Sequence, residues 1–378
     1  MQSYFSEKIL PWLDSSAELY SYDLDPNGGI YIYGAGDLGA LALEYCEACD
    51  IKIKGFLDRA RTKPMVSKSS GSYPVYRPDS NGNLLNKNIL VAVAIVTSPY
   101  VSIAEQLRAL NWKSVIPFYN LTSSAQIGHP LRNGWGLGAV CDEEKDAVQL
   151  VCDHWADNTS WLHYEAFLAW HRDNTEIDLN LAPINPSERY ALPELRTALQ
   201  NRRKVFVDVG SHRGESIDRM NSAEIVFREY HLFEPDPASR SFLLRRKKEL
   251  VPNDAAFVIH SDVLTEEIGS SNFQPGLGYC SQIWKNGVEL RPTAVLDKFK
   301  LNPDFLKIHT EGTEIEVIKG ARDTIKRSRP VIAYSVYHRR EGFFCDIAEA
   351  MDLISEYQWF FRLHSFQGTG AFVYAIPN

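Results

Sequence analysis

Apolar runs that stop abruptly at small, acidic or ring-bearing residues recur along the second half of the chain. Three of these runs occupy residues 205–209, 231–233 and 305–308. Later runs occupy residues 330–336, 359–363 and 372–376. Helical segments alternate with these runs, and this alternation predicts a parallel β-sheet. Ligands of open α/β sheets bind at the carboxyl ends of the strands, so the residues that follow each run are the candidate site.

A similar alternation occupies residues 28–120. Apolar runs at 30–33, 51–57, 89–95 and 115–118 predict about four strands. We therefore predict an α/β fold with three parts, because 378 residues exceed one ordinary core of ~100–200 residues. The parts are a smaller N-terminal Rossmann-like domain (1–120), a mainly helical connector (121–203) and a larger C-terminal α/β domain (204–378).

The net charge and the distribution of apolar residues limit the kinds of partner that this protein can have. The net charge of −8 argues against nucleic acid, because phosphate binding needs a basic surface. No apolar stretch approaches the ~20 residues of a membrane span, and the N-terminus lacks the pattern of a signal peptide. We expect a cytoplasmic protein whose main partner is not nucleic acid. The sequence leaves the oligomeric state open, including a homo-oligomer.

The loop after residues 205–209 has the chemistry of a cofactor site. Gly210 and Gly214 let backbone amides approach a ligand closely, and the following helix offers unpaired donors. Such a loop suits a dinucleotide pyrophosphate. It also suits S-adenosylmethionine (SAM), since Asp208 could face the ammonium and sulfonium charges. Ser211 belongs to the same turn.

The loops after the next two strands extend this site. Glu234 ends the second strand, 26 residues after Asp208, and a carboxylate there can accept both ribose hydroxyls. Pro235 stops the strand and fixes the turn. Ser261 or Asp262, at the end of a third strand, would lie near the adenine.

Together these segments resemble the FkbM-type family of SAM-dependent methyltransferases. The resemblance covers roughly residues 204–378 and rests on Phe-Val-Asp-Val-Gly, Phe-Glu-Pro-Asp-Pro and Leu-Lys-Ile-His-Thr-Glu-Gly-Thr-Glu. It implies a class I methyltransferase fold, with a seven-stranded sheet whose last strand is antiparallel. It also implies O-methylation, often of sugars or polyketide-type natural products. The cofactor positions carried over are Asp208, Gly210, Gly214 and Glu234.

The chain departs from that pattern at His309, where the commoner family sequence has an acidic residue. A histidine can act as a general base, since its ordinary pKa lies near neutrality. His309, His338 and His364 each follow a predicted strand. With Glu311, they could line the acceptor pocket or bind a divalent metal. We predict His309, Glu311 and His338 as the catalytic residues and assign no metal ligand.

A second glycine loop lies in the N-terminal domain. Gly34, Gly36 and Gly39 follow a strand and open a helix, and Asp58 ends the next strand, which is the context of a dinucleotide fingerprint. Residues 31–36, 55–58 and 73–75 also resemble the N-terminal domain of sugar-nucleotide acyltransferases. That resemblance implies that the loop faces a nucleotide-sugar. NAD binding, sugar-nucleotide or glycan binding, and a scaffold or dimerisation role all remain open.

The leading hypothesis is a SAM-dependent O-methyltransferase that acts on a hydroxyl of a sugar, glycan or related natural product. One alternative is an NAD-dependent oxidoreductase that uses the N-terminal loop. Another is a catalytically inactive protein that binds SAM or a nucleotide-sugar.

Overall fold

The protein is described by a computed structural model. It covers residues 13, 28–60, 65–68, 71–80, 85–124, 129–132, 136–202 and 204–378.

The N-terminal domain contains one mixed sheet. Its elements are β1 (Ile30–Tyr33), α1 (Asp37–Ala48), β2 (Ile53–Leu57), β3 (Met65–Lys68), β4 (Gly71–Tyr76), β5 (Leu90–Val93), α2 (Tyr100–Ala109) and β6 (Val115–Pro117). The strand order is β3-β4-β2-β1-β5-β6. All neighbours are parallel except β3 and β4. The β3–β4 pair raises the number of strands from the predicted four to six.

In the described residues between the two sheets, four α-helices follow one another in sequence. They are α3 (Phe118–Ser124), α4 (Asp142–Asp153), α5 (Asn158–Asp173) and α6 (Pro193–Ala198). The apolar pattern of residues 142–171 predicts one helix, but the structure has two. Asp157 begins the second, because its carboxylate accepts a hydrogen bond from the backbone N–H of Ser160. Val148 and Phe167 are fully buried in the core of the C-terminal sheet, so α4 and α5 pack as part of that domain.

The C-terminal domain alternates strands and helices and has an insertion. Its elements are β7 (Val205–Val209), α7 (Glu215–Ser222), β8 (Glu229–Phe233), α8 (Pro237–Leu250), β9 (Ala256–His260), β10 (Val263–Leu264), β11 (Gly269–Gln274), β12 (Gln282–Ile283), β13 (Glu289–Ala294), β14 (Phe305–Ile308), α9 (Glu314–Lys319), α10 (Arg322–Ser328), β15 (Val331–Ser335), α11 (Cys345–Leu353), β16 (Tyr357–Leu363) and β17 (Ala371–Pro377).

The main sheet has seven strands, in the order β16-β17-β15-β14-β7-β8-β9. The last strand, β17, is antiparallel to both of its neighbours, and the other pairs are parallel. This arrangement confirms the predicted sheet. The sheet order reverses beside β7 and β14, so the loops after these two strands lie at its switch point, where ligands of such sheets bind.

A second sheet of four strands, in the order β10-β13-β11-β12, is inserted between β9 and β14. The sequence did not predict it. Its longer strands carry many polar and exposed residues, so they lack the apolar alternation that identifies a half-buried strand.

The two domains are in direct contact. Leu277 and Cys280, which precede β12, are buried in the apolar core of the N-terminal domain. The backbone N–H of Phe366 donates to the carbonyl of Val96 at 2.8 Å. In the described part of the chain, no helix combines the length and the apolar character needed to cross a membrane.

Candidate active site

The loop after β7 is held against the end of β14. Gly210 has a φ of 76°, a conformation that favours glycine. A Cβ atom at this position would overlap the carbonyl oxygen of His309. The amide groups of Gly210 and Ser211 donate to the carbonyl of Phe233 at 2.9 and 3.3 Å. The first glycine is therefore required by the close approach of two strand ends.

A buried ion pair lies beneath this loop. Asp208 and Lys307 are paired across β7 and β14, and Lys307 Nζ lies 2.8 Å from Asp208 Oδ1. The ammonium also donates to the carbonyl of Gly210 at 2.6 Å, and Ser216 donates to the other carboxylate oxygen. Burial disfavours the charged ammonium, but the carboxylate outweighs this effect and raises the pKa of Lys307. Asp208 is fully buried, so it supports the loop from below.

Glu234 is positioned by the backbone around it. One carboxylate oxygen accepts from the N–H of His212 at 2.6 Å, and the other accepts from the N–H of Asp236 at 2.8 Å. The side chain lies at the end of β8, as the sequence predicts. Burial raises the pKa of Glu234 to about 7, although the two backbone donors act in the opposite direction.

A pocket opens between this carboxylate and the inserted sheet, and we call it the inner pocket. Counted with the open space at its mouth, it has a volume of about 540 Å³. Its lining includes Val209, Gly210, Phe233, Glu234, Pro235, Asp262, Phe273, Tyr279, Ser281, Ile283, His309 and Glu311. Asp262 is therefore in the pocket, whereas Ser261 is exposed and is not among these residues. The buried Ser281 Oγ has no hydrogen-bond partner among the described residues.

The three predicted catalytic residues form a cluster, and two of them, His309 and Glu311, line this pocket. His309 Nε2 lies 3.0 Å from Glu311 Oε1, and His338 Nε2 lies 3.2 Å from the same oxygen. We call these three residues the His–Glu–His cluster. His364 lies outside it, since its ring nitrogens contact Tyr374 Oη at 2.7 Å and the carbonyl of Asn185 at 3.0 Å.

Burial and nearby charges shift the pKa values of the two histidines of the cluster in opposite directions. Burial lowers the pKa of His309, and the nearby Glu311 only partly offsets this effect. Burial acts in the same direction on His338, but the charges of Glu311 and Glu314 prevail and raise its pKa. Near neutral pH, His309 is therefore neutral and His338 is protonated.

Three residues that sequence reasoning did not assign complete the cluster. Glu314 Oε1 lies 2.9 Å from His338 Nδ1, Arg189 Nη2 lies 3.2 Å from His309 Nδ1, and Tyr337 Oη lies 3.3 Å from His309 Nε2. Tyr337 directly follows the predicted strand at residues 330–336, and Glu314 belongs to the family-like motif that begins at Leu306, so their positions carried a signal. Arg189 lies in the connector, where no pattern marked it.

A second cavity lies between the domains, and we call it the interdomain cavity. With the open space at its mouth, it has a volume of about 1500 Å³. One wall includes Leu38, Val96 and Thr97 of the N-terminal domain with Tyr119, Pro130 and Leu131 of the segment that follows its sheet. The opposite wall includes Arg189, His309, Glu311, Tyr337, His338 and His364. Both cavities include Gly210, His212, Tyr279, Gln282, His309 and Glu311, so they meet at the His–Glu–His cluster.

The three glycines of the N-terminal loop do not line either cavity. Leu38, which lies between Gly36 and Gly39, lines the interdomain cavity. A Cβ atom at Gly39 would overlap the carbonyl oxygen of Gly34, whereas one at Gly36 would meet no atom within 4 Å. Asp58 accepts from the N–H of Ala35 at 3.0 Å. Close packing of β1 and α1 is therefore sufficient to explain Gly39.

Comparison with known protein families finds a match in the C-terminal part of the chain. Residues 208–360 match the Methyltransferase FkbM domain. This FkbM domain contains the loop after β7, Glu234, the inserted sheet and the His–Glu–His cluster, and the match supports a methyltransferase activity.

A crystal structure of Methyltransferase FkbM from Methylobacillus flagellatus KT has a similar fold. The likeness covers 99% of this chain and 100% of that one, with a TM-score of 0.65 and 17% sequence identity. At this identity the likeness describes the fold, and it extends beyond the FkbM domain to the N-terminal domain. No curated protein matches the chain, and the resemblance of the N-terminal domain to sugar-nucleotide acyltransferases finds no support in these comparisons.

Proposed function

We propose that the protein is a SAM-dependent O-methyltransferase that acts on a hydroxyl of a sugar, a glycan or a related natural product. The observation that carries this proposal is the meeting of the inner pocket and the interdomain cavity at His309 and Glu311. A methyl donor in the inner pocket and an acceptor in the interdomain cavity would be adjacent at these two residues. The match to the FkbM domain supports the same reaction class.

The inner pocket has side chains that suit SAM. Glu234 would accept the ribose hydroxyls, and Asp262, with the apolar Phe233 and Ile283, would surround the adenine. The unpaired Ser281 Oγ offers a further polar contact. The methionine part would lie along the turn that contains Gly210, Ser211 and Gly214. Pro235 and Asp208 would act through the backbone, by fixing the turn after β8 and the loop after β7.

When bound, SAM supplies a methyl group on a cationic sulfur that is already activated for transfer. The residues of the chain align the acceptor hydroxyl opposite the departing thioether. They also accept the proton of the hydroxyl as the new C–O bond forms. Lys307 keeps the loop after β7 in place. His309, Glu311 and His338 contact the hydroxyl. Positioning supplies much of the rate, since well-oriented reactants gain ~7–11 kcal/mol.

His309 is the base that the sequence predicts, and its lowered pKa keeps it neutral. However, both of its nitrogens have contacts. Arg189 can only donate, so Nδ1 accepts from it and the ring proton lies on Nε2, beside Glu311. His309 accepts a proton at Nδ1 only after Arg189 moves away.

Ligand-dependent stability separates this function from its alternatives. A ligand that binds only the native state raises the melting temperature. We expect stabilisation by SAM and S-adenosylhomocysteine, followed by transfer of radiolabelled methyl groups to a member of a sugar and glycan panel. Stabilisation by NAD alone would favour the oxidoreductase. SAM binding without transfer to any acceptor would favour an inactive binding protein.

A further inference from the structure

We propose that the His–Glu–His cluster binds a divalent transition-metal cation, which takes the acceptor hydroxyl as a further ligand. One donor atom from each of His309, Glu311 and His338 lies within 4.8 Å of the other two. The residues come from the loops after β14 and β15, two adjacent strands of the main sheet. The proposal rests on the proposed function, because it assigns a role to the same site.

The donor atoms have separations that suit adjacent ligands of one ion. The Glu311 Oε1 atom lies 3.0 Å from His309 Nε2 and 3.2 Å from His338 Nε2. Ligands at about 2.1 Å from a metal and at right angles to each other are about 3 Å apart. These two separations therefore need little adjustment when an ion enters.

His338 supplies a second and independent observation. Its side chain is 5% exposed, and its Nε2 has no hydrogen-bond partner among the described residues. The 3.2 Å contact with Glu311 does not have the alignment of a hydrogen bond. The nitrogen therefore faces the carboxylate in an ion pair that lacks an aligned hydrogen bond, and a buried polar group without such a bond is costly. A cation at this point would replace the proton that His338 carries near neutral pH and would bind the nitrogen directly.

The second ring nitrogen of His338 contacts a carboxylate, as is usual for histidines that bind a metal. Nδ1 lies 2.9 Å from Glu314 Oε1. A carboxylate behind the second ring nitrogen fixes the ring and directs the first nitrogen at the metal. Glu314 is itself held by Ser335 Oγ at 2.8 Å and by the amide groups of Thr310 and Gly312 at 3.1 and 3.0 Å. The groups that orient the His338 ring are therefore in place before any ion binds.

The ligand set indicates which ions fit. Two imidazoles and one carboxylate suit manganese, iron, cobalt or zinc, whereas magnesium and calcium prefer sets of oxygen atoms. Arg189 opposes binding, because its guanidinium faces His309 Nδ1. When Nε2 binds an ion, Nδ1 carries the proton and two donors face each other. Arg189 must then move aside.

The remaining coordination positions would face the interdomain cavity, which all three residues line. A bound cation lowers the pKa of a hydroxyl ligand. The acceptor hydroxyl would then release its proton to water in the cavity before the methyl group moves from sulfur to oxygen. In this form of the site, His309 is a metal ligand through Nε2 and does not act as the base.

The test uses the full chain, stripped with a chelator and titrated with Mn²⁺, Co²⁺ or Zn²⁺ alone. Calorimetry should give one site per chain. His338→Ala should weaken binding by at least ~100-fold, and Glu314→Gln by ~10–100-fold. Arg189→Gln should strengthen it. His364→Asn, a histidine of the same cavity outside the cluster, should not change it. Equal binding by the wild type and His338→Ala would overturn the proposal.

Spectroscopy of the wild type keeps the test independent of whether a variant folds. Pulsed electron paramagnetic resonance of bound Mn²⁺ should show coupling to imidazole nitrogen, and its absence would also overturn the proposal. SAM binding is measured in the same samples. Cation binding without SAM binding would refute the proposed function alone, and SAM binding without cation binding would refute this proposal alone.

Discussion

Lys307 Nζ and Asp208 Oδ1 lie 2.8 Å apart beneath the loop after β7, and both side chains are almost completely buried. The ammonium also holds the carbonyl of Gly210. One interaction therefore links the two central strands of the main sheet to the backbone that would face SAM.

Removing one partner of this pair should be costly. We expect Lys307→Met to lower the free energy of unfolding by about 3–5 kcal/mol, because it leaves the carboxylate of Asp208 buried without a counter-charge. Denaturant unfolding measures the change. Asp79→Asn is the control, since the Arg77–Asp79 pair is exposed and should matter little. Equal effects of the two substitutions would contradict the structural role of the buried pair.

His309→Ala should separate chemistry from cofactor binding. We expect methyl transfer to fall by at least ~100-fold, since a group that handles the proton contributes ~10²–10⁴-fold. SAM affinity, measured by calorimetry, should stay nearly unchanged. The exposed His154, at the end of α4, provides the control His154→Ala. Full transfer activity in His309→Ala would exclude His309 both as a base and as a required ligand.

The raised pKa of Glu234 predicts that SAM binding releases protons near pH 7. The ribose hydroxyls prefer the ionised carboxylate, because hydrogen bonds to charged groups are stronger. SAM affinity should therefore fall roughly five- to tenfold as the pH drops from about 8 to 6. Calorimetry in buffers with different ionisation enthalpies counts the protons, and Glu234→Gln should abolish their release.

The same pKa affects stability in the absence of ligand. Because the folded state keeps this proton up to about pH 7, against an ordinary value of 4.5, the contribution of Glu234 to the free energy of unfolding falls as the pH rises through this window. Glu234→Gln should flatten that part of the curve. A SAM affinity independent of pH would argue against a ribose contact.

Two glycines of the N-terminal loop should respond differently to alanine. Gly39→Ala should lower the free energy of unfolding by about 1–3 kcal/mol, because the added methyl group overlaps the carbonyl of Gly34. Gly36→Ala should fold normally, since its Cβ would meet open space. Thermal shift with UDP-sugars and NAD then tests the loop. A ligand that stabilises the wild type but not Gly36→Ala would identify a nucleotide site, and no shift in either would favour a scaffold.

The main sheet was predictable because each of its strands is an apolar run that stops at a polar residue. β14 begins and ends where the sequence predicts, and His309, His338 and His364 lie at the expected edge. The direction of a side chain was harder to predict. Asp208 follows the cofactor pattern, yet its carboxylate points to Lys307, because a buried ammonium on the adjacent strand needs a partner.

The sequence predicts neither the inserted sheet nor the contact of Arg189 with His309. Strands such as Gly269–Gln274 are polar and largely exposed, so periodicity does not identify them. They nevertheless carry the chain to Tyr279 and Ser281, which lie across the inner pocket from Glu234. Arg189 comes from an irregular connector and is brought to His309 by the tertiary fold alone. Contacts of this kind, 120 residues apart in sequence, have no local signal.

The insertion of Leu277 and Cys280 into the N-terminal core has a consequence for ligand traffic. The segment that covers the inner pocket is fastened to the domain that walls the interdomain cavity. A rotation of the N-terminal domain would therefore move this segment away from the inner pocket and widen the interdomain cavity at the same time. Exchange of the methyl donor, the acceptor and their products would then depend on the same domain motion.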